Sequence, residues 1–455
     1  MDLRAATRMC RFVPIPFAVG CAMRGGTGFD PVQPSGARTQ WGDRPTVASI
    51  EQLRRGPVLE RPAFVHAVLD RNRSIESARQ AWRAAIARVQ QSGVLDDPMV
   101  SVDMAPLTIG SSKTRFAWEA TISQRLPWPG KLSLDQAVAA AEADAAKSDF
   151  EAARRDLALT AALLFDQYFM TARSIEINAH HVDLMRSMRA AAAAQYETGR
   201  GSAQDPLQAE FELAHMEHDT VVLASERDVT VAQMNELLHR APSEPLPPPP
   251  ATLPPATLPE IVNPDSLEAE AVEHRPDILA ARARACAQQV RAERAGRESY
   301  PDLTVSAGYN VFWDTPEQRW TVGLTFNLPV QVGRRAGAVD EANATQAQFE
   351  ADASRMSDAA RTQVVVALKQ LEQSEHVLHL YEQRLVPVAR DEVNAARAAF
   401  TASQTPFVTV IDAEKNLRSV ELDMQMATAN VDRRHAELDH ALGRMPGLDE
   451  RSTAP

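Results

Sequence analysis

From Leu132 to Thr198 the sequence contains neither glycine nor proline. A helix rises ~1.5 Å per residue, so a run of this length predicts a rod ~100 Å long. Leu157, Ala161, Leu164, Tyr168, Ala172, Ile175, Ala179, Val182 and Met185 step by three or four along it. That is a narrow apolar stripe, of the kind that packs against other helices. Gly199-Arg200-Gly201 interrupts the run, and a return helix is predicted from Leu207 to about Leu238. Such a hairpin buries little by itself and needs neighbours.

The neighbour is encoded in the same chain. Trp118–Pro127 (WEATISQRLP) aligns with Trp320–Pro329 (WTVGLTFNLP) at an offset of 202 residues. Tyr196 matches Phe400, and Leu238, Arg240 and Pro242 match Leu442, Arg444 and Pro446, all at 204. Offsets this constant mark a tandem duplication, with repeats at 61–241 and 262–447. The stretch 242–261 between them is proline-rich and reads as a stiff, extended connector. In the second repeat Val364, Leu368, Leu371, Leu378, Tyr381, Leu385 and Val388 form the stripe, with Glu375 interrupting it. Its turn is Ser403-Gln404-Thr405-Pro406, and its return helix runs from Phe407 to about Leu442.

Ahead of each rod the period changes from helical to two. Arg61–Gln91 is helical in pattern, closed by Gly93 and Pro98. Then Val100, Val102 and Met104 alternate with Ser101 and Asp103, and Phe116, Trp118, Ala120 and Ile122 with Glu119, Thr121 and Ser123. In the second repeat Leu303, Val305, Ala307 and Tyr309 alternate with Thr304, Ser306 and Asn310. Likewise Trp320, Val322, Leu324, Phe326 and Leu328 alternate with Thr321, Thr325 and Asn327. Strict alternation predicts strands with one apolar and one polar face. About ten residues per strand suits a tilted bilayer crossing. Four of the six Trp lie in these segments, at 118, 128, 313 and 320, as expected at membrane–water interfaces. A soluble hairpin laid on a helix shows the same alternation, but nothing in either repeat supplies a globule for it to cover.

Four strands per chain cannot close a barrel, since the smallest use about eight, and an open sheet edge in lipid leaves its backbone groups unsatisfied. Several chains must therefore pool strands, two giving eight and three giving twelve. Composition excludes other classes. A net charge of −12 argues against nucleic acid. Three cysteines without a CxxC pattern exclude a disulfide scaffold. No nucleophile–base pairing, Gly-rich phosphate loop or HExxH points to an enzyme, and no cofactor is indicated. At the amino terminus, Arg4, Arg8 and Arg11, an apolar stretch Phe12–Val19 and then Gly20-Cys21 have the order of an export signal. Ala18-Val19-Gly20-Cys21 resembles a lipobox, so residues 1–20 are expected to be a signal peptide and Cys21 a palmitate-bearing lipid anchor. Residues 21–60 read as an irregular strap, and 448–455 as a tail.

The duplicated layout, the SQRLPWPGK junction (123–131), the YETGRGSAQDPLQAE turn (196–210), the RPDILAARAR segment (275–284) and the WTVGLTFNLP strand together resemble the TolC family of outer-membrane efflux proteins, over roughly residues 60–447. The resemblance implies a mainly α protein with a small β part. Long α-helical hairpins and four transmembrane strands per chain would form a homotrimeric α-barrel/β-barrel, in outer-membrane lipid and reaching into the periplasm. It also implies an inner-membrane efflux pump, often of the RND type, and a periplasmic adaptor protein. DPMVSVDMAPL and PWPGKL look closest to the branch exporting heavy-metal cations, with drug or solvent export the alternative.

By position, Gly199, Arg200, Gly201, Asp205, Ser403, Gln404, Thr405 and Asp412 would form the periplasmic tip that meets the adaptor. Asp205 and Asp412 are candidates for a cation-favouring ring, with helix capping as the plainer role. Ser101, Asp103, Glu119, Thr121, Ser123, Thr304, Ser306, Asn310, Thr321, Thr325 and Asn327 are expected to line a wet pore. His180-His181, His215 with His218, His376 with His379, Met185 with Met188 and Met424 with Met426 have chelating spacing, but surface or stripe positions account for them and no metal site is expected. The competing reading is a soluble periplasmic adaptor or coiled-coil tether. It is disfavoured because each of the two hairpins here follows its own strand pair.

Overall fold

The computed structural model describes residues 56–448 except 111, 113, 254–262 and 403. The predicted signal, Cys21, most of the strap, part of the connector and most of the tail therefore lie outside the described residues, as does Ser403.

Each repeat begins with a broken helix. Helices α1 (Arg61–Arg71) and α2 (Arg73–Gln91) correspond to α5 (Pro264–His274) and α6 (Pro276–Gly296). The single helix expected over 61–91 is interrupted at Asn72, whose ψ of 126° is extended. The Asn72 side chain accepts from the Ser74 N–H at 2.9 Å and so caps α2. In the second repeat Pro276 makes the same break by forcing Arg275 out of helical geometry.

Strands β1 (Met99–Met104) and β2 (Trp118–Leu126) follow, then α3 (Lys131–Glu197) and α4 (Gln204–Leu237). In the second repeat β3 (Leu303–Asn310), β4 (Trp320–Phe326), α7 (Val332–Leu380), α8 (Val386–Thr401) and α9 (Phe407–Ala441) take the same places. The strands are six to nine residues, shorter than expected. Helix α3 is the predicted rod, unbroken for 67 residues.

The second rod is divided by a π turn at Tyr381–Leu385, just ahead of Pro387. Proline has no N–H to donate back, and a wide turn accommodates the loss. The extra residue re-phases the helix. Beyond it the buried line runs through Val386, Ala389, Val393 and Ala396, while Val388, expected on the stripe, is 58% exposed. Ala179 is likewise exposed in the first rod.

Helix α3 packs against α2, α4, α6 and α9, and α9 packs against α7 and α8. The helices thus lie side by side, with α4 along one margin and α7–α8 along the other. The largest core is a girdle partway along the rods. There Phe64, Val65 and Val68 of α1 meet Ala158, Ala161 and Phe165 of α3, Met234 of α4 and Ala436 of α9. The described part of the proline-rich connector, 242–253, is docked on this girdle. Leu246 and Leu253 pack on it, Leu59 N–H donates to the Pro248 carbonyl at 2.8 Å, and Tyr168 Oη to that of Pro247 at 3.0 Å.

Candidate channel wall and tip

The four strands form one antiparallel sheet in chain order, β1-β2-β3-β4. Residues directly opposite share a face, so the register fixes both faces. Val100 pairs with Ile122, Val102 with Ala120, Ala120 with Tyr309, Val305 with Leu324 and Leu303 with Phe326. This face is apolar in every strand except at Gln124. On the other, Ser101 pairs with Thr121, Asp103 with Glu119, Ser123 with Ser306, Thr304 with Thr325, and Thr321 with Gly308.

Among the described residues nothing covers the apolar face. Val322 is 81% exposed, Trp320 73% and Val100 69%. Its two ends carry aromatic groups. At one, the Trp118, Tyr309 and Trp320 rings are in contact, with centroids 5.7 and 5.2 Å apart. At the other, Trp128 stacks on Tyr300 at 5.2 Å.

On the polar face Glu119 accepts from Asn310 Nδ2 at 3.1 Å and Thr121 Oγ1 at 3.4 Å. Gly308 and Gly323 sit among these side chains. A Cβ on Gly308 would stand 2.9 Å from Thr121 Oγ1, and one on Gly323 2.5 Å from Ser306 Oγ. Small residues here let the polar side of the sheet close up, as a concave wall requires. Asn327 lies beyond β4, and its Oδ1 accepts the Asp302 N–H at 2.6 Å. It therefore belongs to the base of the sheet.

That base is a charged clamp the sequence did not single out. Lys131, 1% exposed, donates to Asp302 Oδ1 at 2.8 Å and to the Tyr300 carbonyl at 3.1 Å. Asp302 also accepts from Arg125 at 2.6 Å and from the Trp128 N–H at 3.0 Å. Burial works to raise the Asp302 pKa. The hydrogen bonds from Lys131, Arg125 and Trp128 outweigh it and hold the carboxyl well below its usual range. Gly130, at φ 90°, makes the sharp entry into α3. A lone Asp after a proline looks like any turn residue, so only the fold reveals the clamp.

Both hairpin turns reach the same end of the molecule, because Ala192 and Ala209 beside the first share a core with Phe407 beside the second. Gly199 is left-handed at φ 69°, and the Arg200 and Gly201 N–H groups close on the Gln195 carbonyl. Asp205, the second residue of α4, accepts from the Ser202 N–H at 3.0 Å and so ties the turn to the start of the helix. Arg200, Gln404 and Asp412 are exposed and Thr405 half-buried.

Behind the tip, two ion pairs cross between the hairpins, Lys415 with Glu212 at 2.9 Å and Arg418 with Asp219 at 2.5 Å, while Arg397 meets the buried Glu414 within the second hairpin. Glu421 accepts from His181 at 3.1 Å and Arg390 at 3.0 Å. The His181 hydrogen bond, with help from Arg390 and against burial, lowers its pKa. His181 is thus a core histidine in a polar pair, while His180, His215, His218, His376 and His379 are exposed. Met185 is a core residue. Among the described residues no group of three or more His, Cys, Asp or Glu is placed to hold a metal, and no helix is long and apolar enough to cross a membrane.

The arrangement is thus a four-stranded sheet with one apolar and one polar face, carried on rods ~100 Å long. Residues 267–444, within the second repeat, match the outer membrane efflux protein family. The cobalt-zinc-cadmium resistance protein CzcC of Cupriavidus metallidurans is 24% identical over 176 residues, 38% of this chain and 41% of that protein. The match therefore spans less than half of that relative's length. Among solved structures, CusC superposes with a TM-score of 0.74 at 16% identity, over 86% of this chain and 94% of that one. The outer-membrane protein VceC of Vibrio cholerae does so at 0.71 and 19%, over 85% and 96%. The TolC-family resemblance read from the sequence is thereby borne out, and the CusC structure is described in terms of transmembrane channel formation.

Proposed function

We propose that the protein is the outer-membrane exit duct of a three-part efflux system. The observation that carries this is the sheet itself. Among the described residues its apolar face is uncovered and both its edges are open, and it is carried on rods ~100 Å long. A soluble tether would leave that surface in water. Three copies would give twelve strands, enough for a closed barrel whose polar faces enclose a wet lumen. Asp103, Glu119, Thr121, Ser306 and Thr325 are then pore-lining, and the α4 and α7–α8 margins meet between copies.

Energy comes from an inner-membrane pump through a periplasmic adaptor that engages the tip at Gly199–Asp205 and Gln404–Asp412. The cargo reading is heavy-metal cations, supported by the cobalt-zinc-cadmium resistance relative. Cys21 is proposed as the lipid anchor, and labelled palmitate entering wild type but not Cys21→Ser tests it.

The decisive test compares Phe326→Arg on the apolar face with Thr325→Arg on the polar face. An arginine facing mid-bilayer lipid costs about 2–4 kcal/mol. The first variant is expected to lose detergent-requiring, heat-modifiable oligomers, and the second to keep them. Equal tolerance of both defeats the proposal. Loss of cobalt, zinc and cadmium resistance on gene deletion, restored by wild type, tests the cargo.

A further inference from the structure

The apolar alternation of β4 does not stop where the strand stops. After Trp320, Val322, Leu324 and Phe326, every second residue continues it: Leu328, Val330 and Val332 are 68, 78 and 73% exposed. The backbone here is turned on itself. Val330 N–H bonds to the Leu328 carbonyl at 2.9 Å and Val332 N–H to that of Val330 at 3.1 Å. These donors are not offered to another strand, so the segment presents side chains rather than a sheet edge. Gly333 ends the run, and Arg334 and Arg335 follow.

A third arginine stands beside them. Arg335 Nε donates to the Glu298 carbonyl at 3.1 Å, and its Nη1 to the Gln331 carbonyl at 3.3 Å. Adjacent Arg297 donates to the Pro129 carbonyl at 3.1 Å, next to the Trp128–Tyr300 stack. All three guanidinium groups are held by neutral carbonyls or exposed. The nearby carboxylates are engaged elsewhere: Asp302 with Lys131 and Arg125, Asp135 with Arg294, and Glu298 with Arg294 and Lys131. A chain of net charge −12 thus carries a locally uncompensated positive shelf.

We infer that Arg297, Arg334 and Arg335 seat the headgroup of an anionic phospholipid in the rod-side leaflet, with Val330 and Val332 entering its acyl region. The inference rests on the membrane reading proposed above. Two features select this occupant: the shelf is continuous with the apolar face of the sheet, and basic side chains beside stacked aromatic rings match an anionic interface.

The test uses the full-length protein reconstituted in phosphatidylethanolamine vesicles containing phosphatidylglycerol, then re-extracted and assayed for lipid per chain. R297Q/R334Q/R335Q is expected to retain at least about threefold less phosphatidylglycerol, with phosphatidylethanolamine and heat-modifiability unchanged. Arg334→Gln alone, at an exposed position, is expected to give part of that drop and controls for misfolding. Unchanged phosphatidylglycerol retention in both variants overturns the inference. So does an interchain disulfide formed in high yield by Arg334→Cys, which would make a second copy the occupant. A wild type that enters no vesicle sinks the membrane reading itself, a separate outcome.

Discussion

Lys131 Nζ and Asp302 Oδ1 lie 2.8 Å apart, both side chains at most 7% exposed, and they join the first residue of the long rod to the first residue ahead of β3. The pair ties the two repeats together where sheet becomes helix. Breaking such a pair on one side strands a buried charge, at about 3–5 kcal/mol. Lys131→Met is expected to lower the melting temperature of the assembled oligomer, and Lys131→Met with Asp302→Leu to recover much of it. The Asp302 pKa is depressed, so its contribution is full above the unfolded value of 3.8 and fades as pH falls toward the folded one. Asp302→Asn should therefore flatten the acid limb of the stability profile, read by melting at stepped pH.

Gly323 and Ser306 are cross-strand partners on the polar face, and the serine Oγ stands 2.5 Å from where a Cβ on Gly323 would be. Overpacking of this kind costs about 1–3 kcal/mol. Gly323→Ala is expected to reduce the heat-modifiable fraction, and adding Ser306→Ala, which deletes the offending oxygen, to restore it. A double variant as impaired as the single one would refute the argument from close approach.

The two faces of the sheet were legible from alternation alone because the side-chain period of a strand is fixed, and register preserves it. The rods were legible because glycine and proline are absent from α3. Three features were not. The π turn depends on how Pro387 is absorbed locally, so Val388 was placed one position off the buried line. The Lys131–Asp302 clamp and the Arg418 bonds join residues about 170 to 240 positions apart, and no local spacing encodes a contact between elements so distant. The break at Asn72 was missed because an asparagine cap has no proline to announce it, unlike Pro276 in the second repeat.

Asp166 is fully buried beside Arg61 and Asp432 in the girdle. Burial pushes its pKa up to about 7, with Asp432 adding to the rise and Arg61 opposing it. Between 3.8 and about 7 the folded state holds a proton that the unfolded state has lost. Stability from this group therefore falls as pH rises through that window. Asp166→Asn is expected to flatten this limb in melts followed by helical circular dichroism between pH 4 and 8. An unchanged slope would show that the carboxyl stays ionised.

Arg418 on α9 reaches Asn178 on α3 at 2.6 Å and Asp219 on α4 at 2.5 Å, so one guanidinium fastens the second hairpin to both arms of the first. Arg186 makes comparable bonds, to Asp183 and Glu217, but both partners lie within its own α3–α4 hairpin. If the tip opens by one hairpin moving against the other, Arg418 restrains it, as Lys415 and His181 also do, and Arg186 does not. Arg418→Ala is expected to raise single-channel conductance in planar bilayers and sensitise cells to a bulky hydrophilic antibiotic. Arg186→Ala, exposed and intra-hairpin, should leave both at wild-type values. Conductance that rises equally in the two variants would mean that general loosening, rather than release between hairpins, sets the aperture.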